Sequence, residues 1–130
     1  YVLGALGWAS HKKLPILFVI EDNNFSILTK KKVRRNWHMK DVAKSFKLDG
    51  HEIDDKPEDI LKSSKFFFKK PTLINVNTNR IYWHAGGGKD NEKTFDRYNY
   101  EKKRLGHAAD IIDNKYNIYI KKIWKKQLEK

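Results

Sequence analysis

The apolar run at residues 16–20 ends in Glu21-Asp22-Asn23-Asn24, followed by Phe25 and Ser26. Asn23 and Asn24 offer neutral amide oxygens, and the turn after them offers backbone carbonyls. Oxygen donors without thiolates or a histidine pair suit a hard cation such as Mg²⁺, which ordinarily also takes phosphate oxygens. An Asn-Asn pair can equally do no more than make a turn, and on residue types alone that is its commoner use. His84 lies past a second apolar run and beside Gly86-Gly87-Gly88, where an imidazole could shuttle a proton or hold a carboxylate. A plain surface histidine on a loop is the alternative. His38 and His51 sit in charged loop contexts, and His11 and His107 read as structural. The triple glycine is not a P-loop, because Lys89 precedes Asp90 and no Gly-Lys-Ser/Thr follows. Nucleophile-elbow, zinc-protease and EF-hand patterns are missing from the sequence.

An α/β chain must position these groups. Residues 2–13 read as a helix with Leu3, Leu6 and Gly7 on one face and the small Gly4, Ala5 and Ala9 available for close packing. The run 16–20 reads as a central parallel strand buried on both faces. Residues 30–39 read as an exposed loop, 41–46 as a short helix and 47–53 as a short strand and turn. Pro57-Glu58-Asp59 starts a helix, with proline in the first turn and acids at its positive end, that carries Ile60, Leu61 and residues 64–68 and stops near Lys70-Pro71. Residues 72–77 read as a second apolar strand. Strands separated by helices predict a parallel sheet, and ligands of such sheets sit beyond the carboxyl ends of the strands. Here those ends are residues 21–25 and 78–88. Past Asn91 the chain turns helical and polar, although Tyr116, Ile118 and Ile120 also alternate as a strand would.

At 130 residues the chain suits one domain. It begins at Tyr1 without an initiator Met and is expected to be part of a longer protein; its first residues match neither a signal peptide nor a membrane span. The lack of cysteine favours the cytoplasm. A net charge of +12 asks for an explanation. Basic clusters at 30–35 and at Lys121, Lys122, Lys125 and Lys126 suit nucleic acid or anionic surfaces, or simply a solvated lysine-rich face. Four Trp and seven Phe argue for a core and against a disordered basic tail.

Four segments, in order, resemble one family. Leu14-Pro15-Ile16-Leu17-Phe18-Val19-Ile20-Glu21-Asp22-Asn23-Asn24-Phe25 resembles the second half of the thiamine-diphosphate motif of the alpha subunit of 2-oxo acid dehydrogenases, the pyruvate and branched-chain type. Leu48-Asp49-Gly50-His51-Glu52-Ile53, Pro71-Thr72-Leu73-Ile74 and Thr78-Asn79-Arg80-Ile81-Tyr82-Trp83-His84-Ala85 resemble three later segments of that subunit. The resemblance covers residues 1 to about 105. It implies a three-layer α/β sandwich with a mostly parallel sheet, the thiamin diphosphate-binding fold, here incomplete, with residues 106–130 as a basic helical extension.

The resemblance also implies a site. Asn23 through its side chain and Phe25 through its carbonyl would hold Mg²⁺ against the cofactor diphosphate, with Ser26 beside it and an aspartate from an upstream Gly-Asp-Gly. His84 would lie in the active site near the diphosphate. The activity implied is decarboxylation of a 2-oxo acid by an oxidoreductase component. A beta-type subunit or second domain would supply the activating glutamate, and a lipoyl acyltransferase could accept the product. The sequence departs from the family at Asp22, Asn24, Trp83 and Ala85, and in the glycines of 86–88. A basic nucleic-acid-binding module is the rival reading, and a degenerate non-catalytic relative a third.

Overall fold

The computed structural model describes residues 1–85, 87–88 and 94–129. It divides into two compact units, Tyr1–Phe95 and Asp96–Lys130.

The first unit is built on a parallel three-stranded sheet. Helix α1 (Val2–Lys12) leads into β1 (Leu17–Asp22), and a minimal hairpin of β2 (Phe25–Ser26) and β3 (Thr29–Lys30) follows. Then come α2 (Lys31–Arg34), α3 (Met39–Ser45), β4 (Asp49–Asp54), α4 (Pro57–Ser63), one 3₁₀ turn (Ser64–Phe66) and β5 (Thr72–Asn77). The strand order is β1-β5-β4. Leu17 pairs with Thr72 and Asp22 with Asn77, while Asp49 and Asp54 take the same partners from the other side. Side chains alternate across this sheet. Leu73, Phe18 and Ile20 therefore share the face that packs with Leu6 of α1 and Ala43 of α3, the centre of the core. Ile74 and Val76 share the opposite face with Val19 and Ile53, and α4 with its 3₁₀ extension covers part of it through Ile60 and Phe67. The architecture is α/β with helices on both faces of a parallel sheet.

Several expectations are corrected. The buried central strand is β5, whose residues from Thr72 to Val76 are all buried. Among the described residues β1 pairs with β5 alone, and Val19 is 56% exposed. An apolar run marks a strand but not its place in the sheet. Residues 30–39 are not a bare loop: they contain α2 and the first residue of α3. Gly50, expected near a turn, lies inside β4. A Cβ there would stand 2.2 Å from the Lys40 carbonyl oxygen, so only glycine lets the start of α3 approach the sheet this closely. Helix α4 stops at Ser63, well short of the expected end near Lys70-Pro71. Ser63 and Ser64 turn their hydroxyls back to the carbonyls of Ile60 and Leu61, competing with the helical ladder.

The second unit is a helical pair, α5 (Arg97–Leu105) and α6 (His107–Leu128), joined at Gly106 with φ +55°. Asp96 caps α5 by accepting the Asn99 N–H at 2.9 Å. Asp113 of α6 accepts from the Tyr98 hydroxyl and from Lys102 Nζ at 2.6 Å. The alternation of Tyr116, Ile118 and Ile120 is thus carried on a helix, and α5 falls in the same unit as α6, so the unit begins ten residues before the expected boundary at 105.

Candidate functional site

The turn after β1 is shaped by its own side chains. Asp22 Oδ1 accepts the Asn24 N–H and Asn23 Oδ1 accepts the Phe25 N–H, both at 3.0 Å. These Asx turns hold Asn24 at φ +65°, a conformation that asparagine tolerates better than most residues. The Asn24 carbonyl then accepts the Lys31 N–H at 2.8 Å, closing the base of the β2–β3 hairpin.

On the neighbouring strand the chain leaves β5 at Thr78, whose N–H donates to the Asp22 carbonyl at 3.0 Å. The two carboxyl ends therefore open side by side. Between them lies a cleft of about 350 Å³, with Asn23, Asn24 and Phe25 on one wall and Thr78, Arg80 and Trp83 on the other. Arg80 links the walls: its guanidinium lies 4.8 Å over the Phe25 ring and donates to the Ile27 carbonyl. Asn23 and Phe25 thus meet the 78–83 segment across one cleft. His84 follows Trp83 in the chain, but its side chain is exposed and does not line this cleft. Ser26 opens onto a separate cleft beside Lys31 and Arg34. Gly86, Lys89 and Asp90 of the glycine-rich loop lie outside the described residues.

Asn23 and Asn24 differ in what they have left to give. The Asn23 oxygen already accepts one hydrogen bond and keeps one acceptor position. The Asn24 side chain is exposed and makes no hydrogen bond among the described residues. Amide and carbonyl oxygens of this kind fit a hard divalent cation in type. They do not neutralise it, and among the described residues no group of three or more His, Cys, Asp or Glu side chains comes together. A carboxylate ligand would have to come from elsewhere, because Asp22 is committed.

That commitment was invisible in the sequence. Asp22 Oδ2 receives Lys31 Nζ at 2.7 Å and Arg35 Nη2 at 2.6 Å, and its side chain is only 7% exposed. Burial opposes ionisation there. The hydrogen bonds from Lys31 and from the Asn24 N–H, with the charges of Lys31 and Arg35, outweigh it and hold the carboxyl below its ordinary value. Glu52 repeats the pattern on β4. Burial is outweighed by hydrogen bonds from Lys40 and Asn77 and by the charges of Lys40 and His38, so this carboxyl also lies low. His38 Nδ1 stands 3.4 Å from Glu52, which gives that histidine a structural partner. His51 stacks on Phe66 at 4.2 Å with its Nε2 buried and unpartnered. His11 lies against Trp8, and His107 opens α6.

Comparison with protein-family models, curated proteins and solved structures returned no match. Among the described residues no helix is long and apolar enough to cross a membrane.

Proposed function

We propose that this chain is an alpha-type part of a thiamine-diphosphate- and Mg²⁺-dependent enzyme that decarboxylates a 2-oxo acid. One observation carries the reading. Two segments far apart in sequence, the Asn23-Asn24-Phe25 turn and the 78–83 segment, face each other across a cleft at the carboxyl ends of adjacent parallel strands. Such a crevice is where α/β sheets take ligands, and these two segments are among the four that carry the family resemblance.

When bound, thiamine diphosphate supplies the electron sink that lets a 2-oxo acid lose CO₂. The chain's own residues would do the holding. Asn23 and Asn24 offer amide oxygens and Phe25 its carbonyl to the cation that neutralises the diphosphate. Trp83 supplies an apolar wall, and Arg80 keeps the two walls in register through Phe25 and Ile27. His84, next along the chain, would hold a substrate carboxylate or pass a proton on the substrate side. The metal's carboxylate and the glutamate that activates the cofactor are assigned to residues outside this chain, the latter to a beta-type partner subunit or domain. A lipoyl acyltransferase is the acceptor this class would use.

Equilibrium dialysis of thiamine diphosphate at fixed Mg²⁺ tests the reading on the protein purified with its bound subunits. Asn24→Ala should weaken binding about tenfold or more, in the range found for losing a group that completes or supports a metal's ligand shell. Lys65→Gln, remote from the cleft, should leave it unchanged. Equal binding by all three proteins would remove the turn from the site.

A further inference from the structure

Beside the Asn23 turn a second cleft of about 350 Å³ opens, and its wall carries Lys31, Arg34, Arg35 and Trp37 with Ser26 and Asp22. We infer that this cleft, which borders the cleft between the strand ends and shares Phe25 with it, is a binding site for a small phosphate monoester that does not depend on the cofactor reading.

Charge decides the ligand class. Three cations face one carboxylate, which leaves the wall with a formal charge of +2. Asp22 takes a single contact from Lys31 and a single contact from Arg35, a guanidinium with five N–H groups. Arg34 is exposed and has no partner among the described residues. A monocarboxylate would leave half of this charge unanswered. A phosphate monoester, with a charge of about −1.5 to −2 at neutral pH, matches it, and arginine presents donors in the geometry phosphate oxygens accept.

The cations are also held ready. The Arg35 guanidinium is fixed between the Asp22 carboxylate at 2.6 Å and the Trp37 ring at 4.8 Å. Lys31 is tied to the same carboxylate, and its backbone N–H to the Asn24 carbonyl. Little side-chain freedom remains to be lost on binding, which favours affinity. Phe25 and Trp37, 39% and 50% exposed, leave apolar surface for the organic part of the ligand. The volume suits a small molecule.

Calorimetric titration of the full chain with phenyl phosphate, in EDTA, tests the site. EDTA removes any contribution from a metal-held diphosphate. Saturable binding is expected, with benzoate at least about tenfold weaker, since it carries half the charge. Arg34→Gln should weaken phenyl phosphate about tenfold while leaving the melting temperature unchanged, because Arg34 supports nothing else. Lys32→Gln, on the same helix but outside the cleft wall, should change affinity less than about twofold. Absence of binding would overturn the inference. So would benzoate binding as tightly, or equal losses in the two variants, which would mark a diffuse attraction to a basic surface.

Discussion

Replacing Asp22 by Asn removes the charge at the junction of sheet, hairpin and α2 while keeping the shape. Asp22 is 7% exposed and receives Lys31 and Arg35 at 2.7 and 2.6 Å. Hydrogen bonds to a charged group contribute about 1.5–3 kcal/mol each. Breaking a fully buried ion pair costs about 3–5 kcal/mol, but Lys31 and Arg35 keep 27% and 18% of their side chains in water and can rehydrate in part. The amide also avoids the cost of burying a carboxylate and retains an acceptor for the Asn24 N–H. The net loss is about 2–3 kcal/mol, roughly 10 °C in Tm for a unit of this size. Thermal unfolding followed by near-UV circular dichroism measures it. The folded-state pKa of Asp22 is lowered, so its contribution is complete above the unfolded value near about 4 and is lost as pH falls through the folded one. The gap between wild type and Asp22→Asn should therefore hold from about pH 5 to 8 and close under more acid conditions. A variant melting within about 2 °C of wild type at pH 7, or a gap that widens on acidification, would refute the assigned role.

Three further outcomes follow from particular contacts. Gly50→Ala places a methyl 2.2 Å from the Lys40 carbonyl, where only backbone can yield, and should cost about 3 kcal/mol or more in a denaturant titration. His51→Phe keeps the ring stacked on Phe66 and removes a buried unpartnered nitrogen; it should be neutral or stabilising by up to about 1 kcal/mol, and a clear loss would show that His51 Nε2 has a partner in solution. The Tyr98 hydroxyl donates to Asp113, which raises its pKa above the ordinary phenol value; Asp113→Asn should bring its ultraviolet titration back toward that value.

What the sequence revealed was whatever short-range pattern encodes. The unbroken run of residues 72–77 gave β5 to the residue, and Pro57-Glu58-Asp59 gave the start of α4, because strand patterning and first-turn chemistry are local. The Asn-Asn pair marked the turn: Asn23 Oδ1 accepts the Phe25 N–H, and the Asn24 side chain is exposed and makes no hydrogen bond among the described residues. Long-range matters stayed hidden. Nothing in residues 30–35 announces that Lys31 and Arg35 reach back to Asp22, and without that anchor the segment reads as a solvated loop. The central place of β5 depends on two crossovers that bring β1 and β4 to either side of it, which no periodicity records. His84, singled out by its position after a strand, is exposed and does not line the cleft, whereas its neighbour Trp83 does.

The most direct test of the cofactor assignment is a calorimetric titration of thiamine diphosphate into the protein together with the beta-type subunit that the proposal calls for, run with Mg²⁺ and again with EDTA. The assignment predicts saturable, stoichiometric binding in Mg²⁺ that is lost in EDTA and weakened by Asn24→Ala. No heat of binding in Mg²⁺, or binding indifferent to both EDTA and Asn24→Ala, would contradict it.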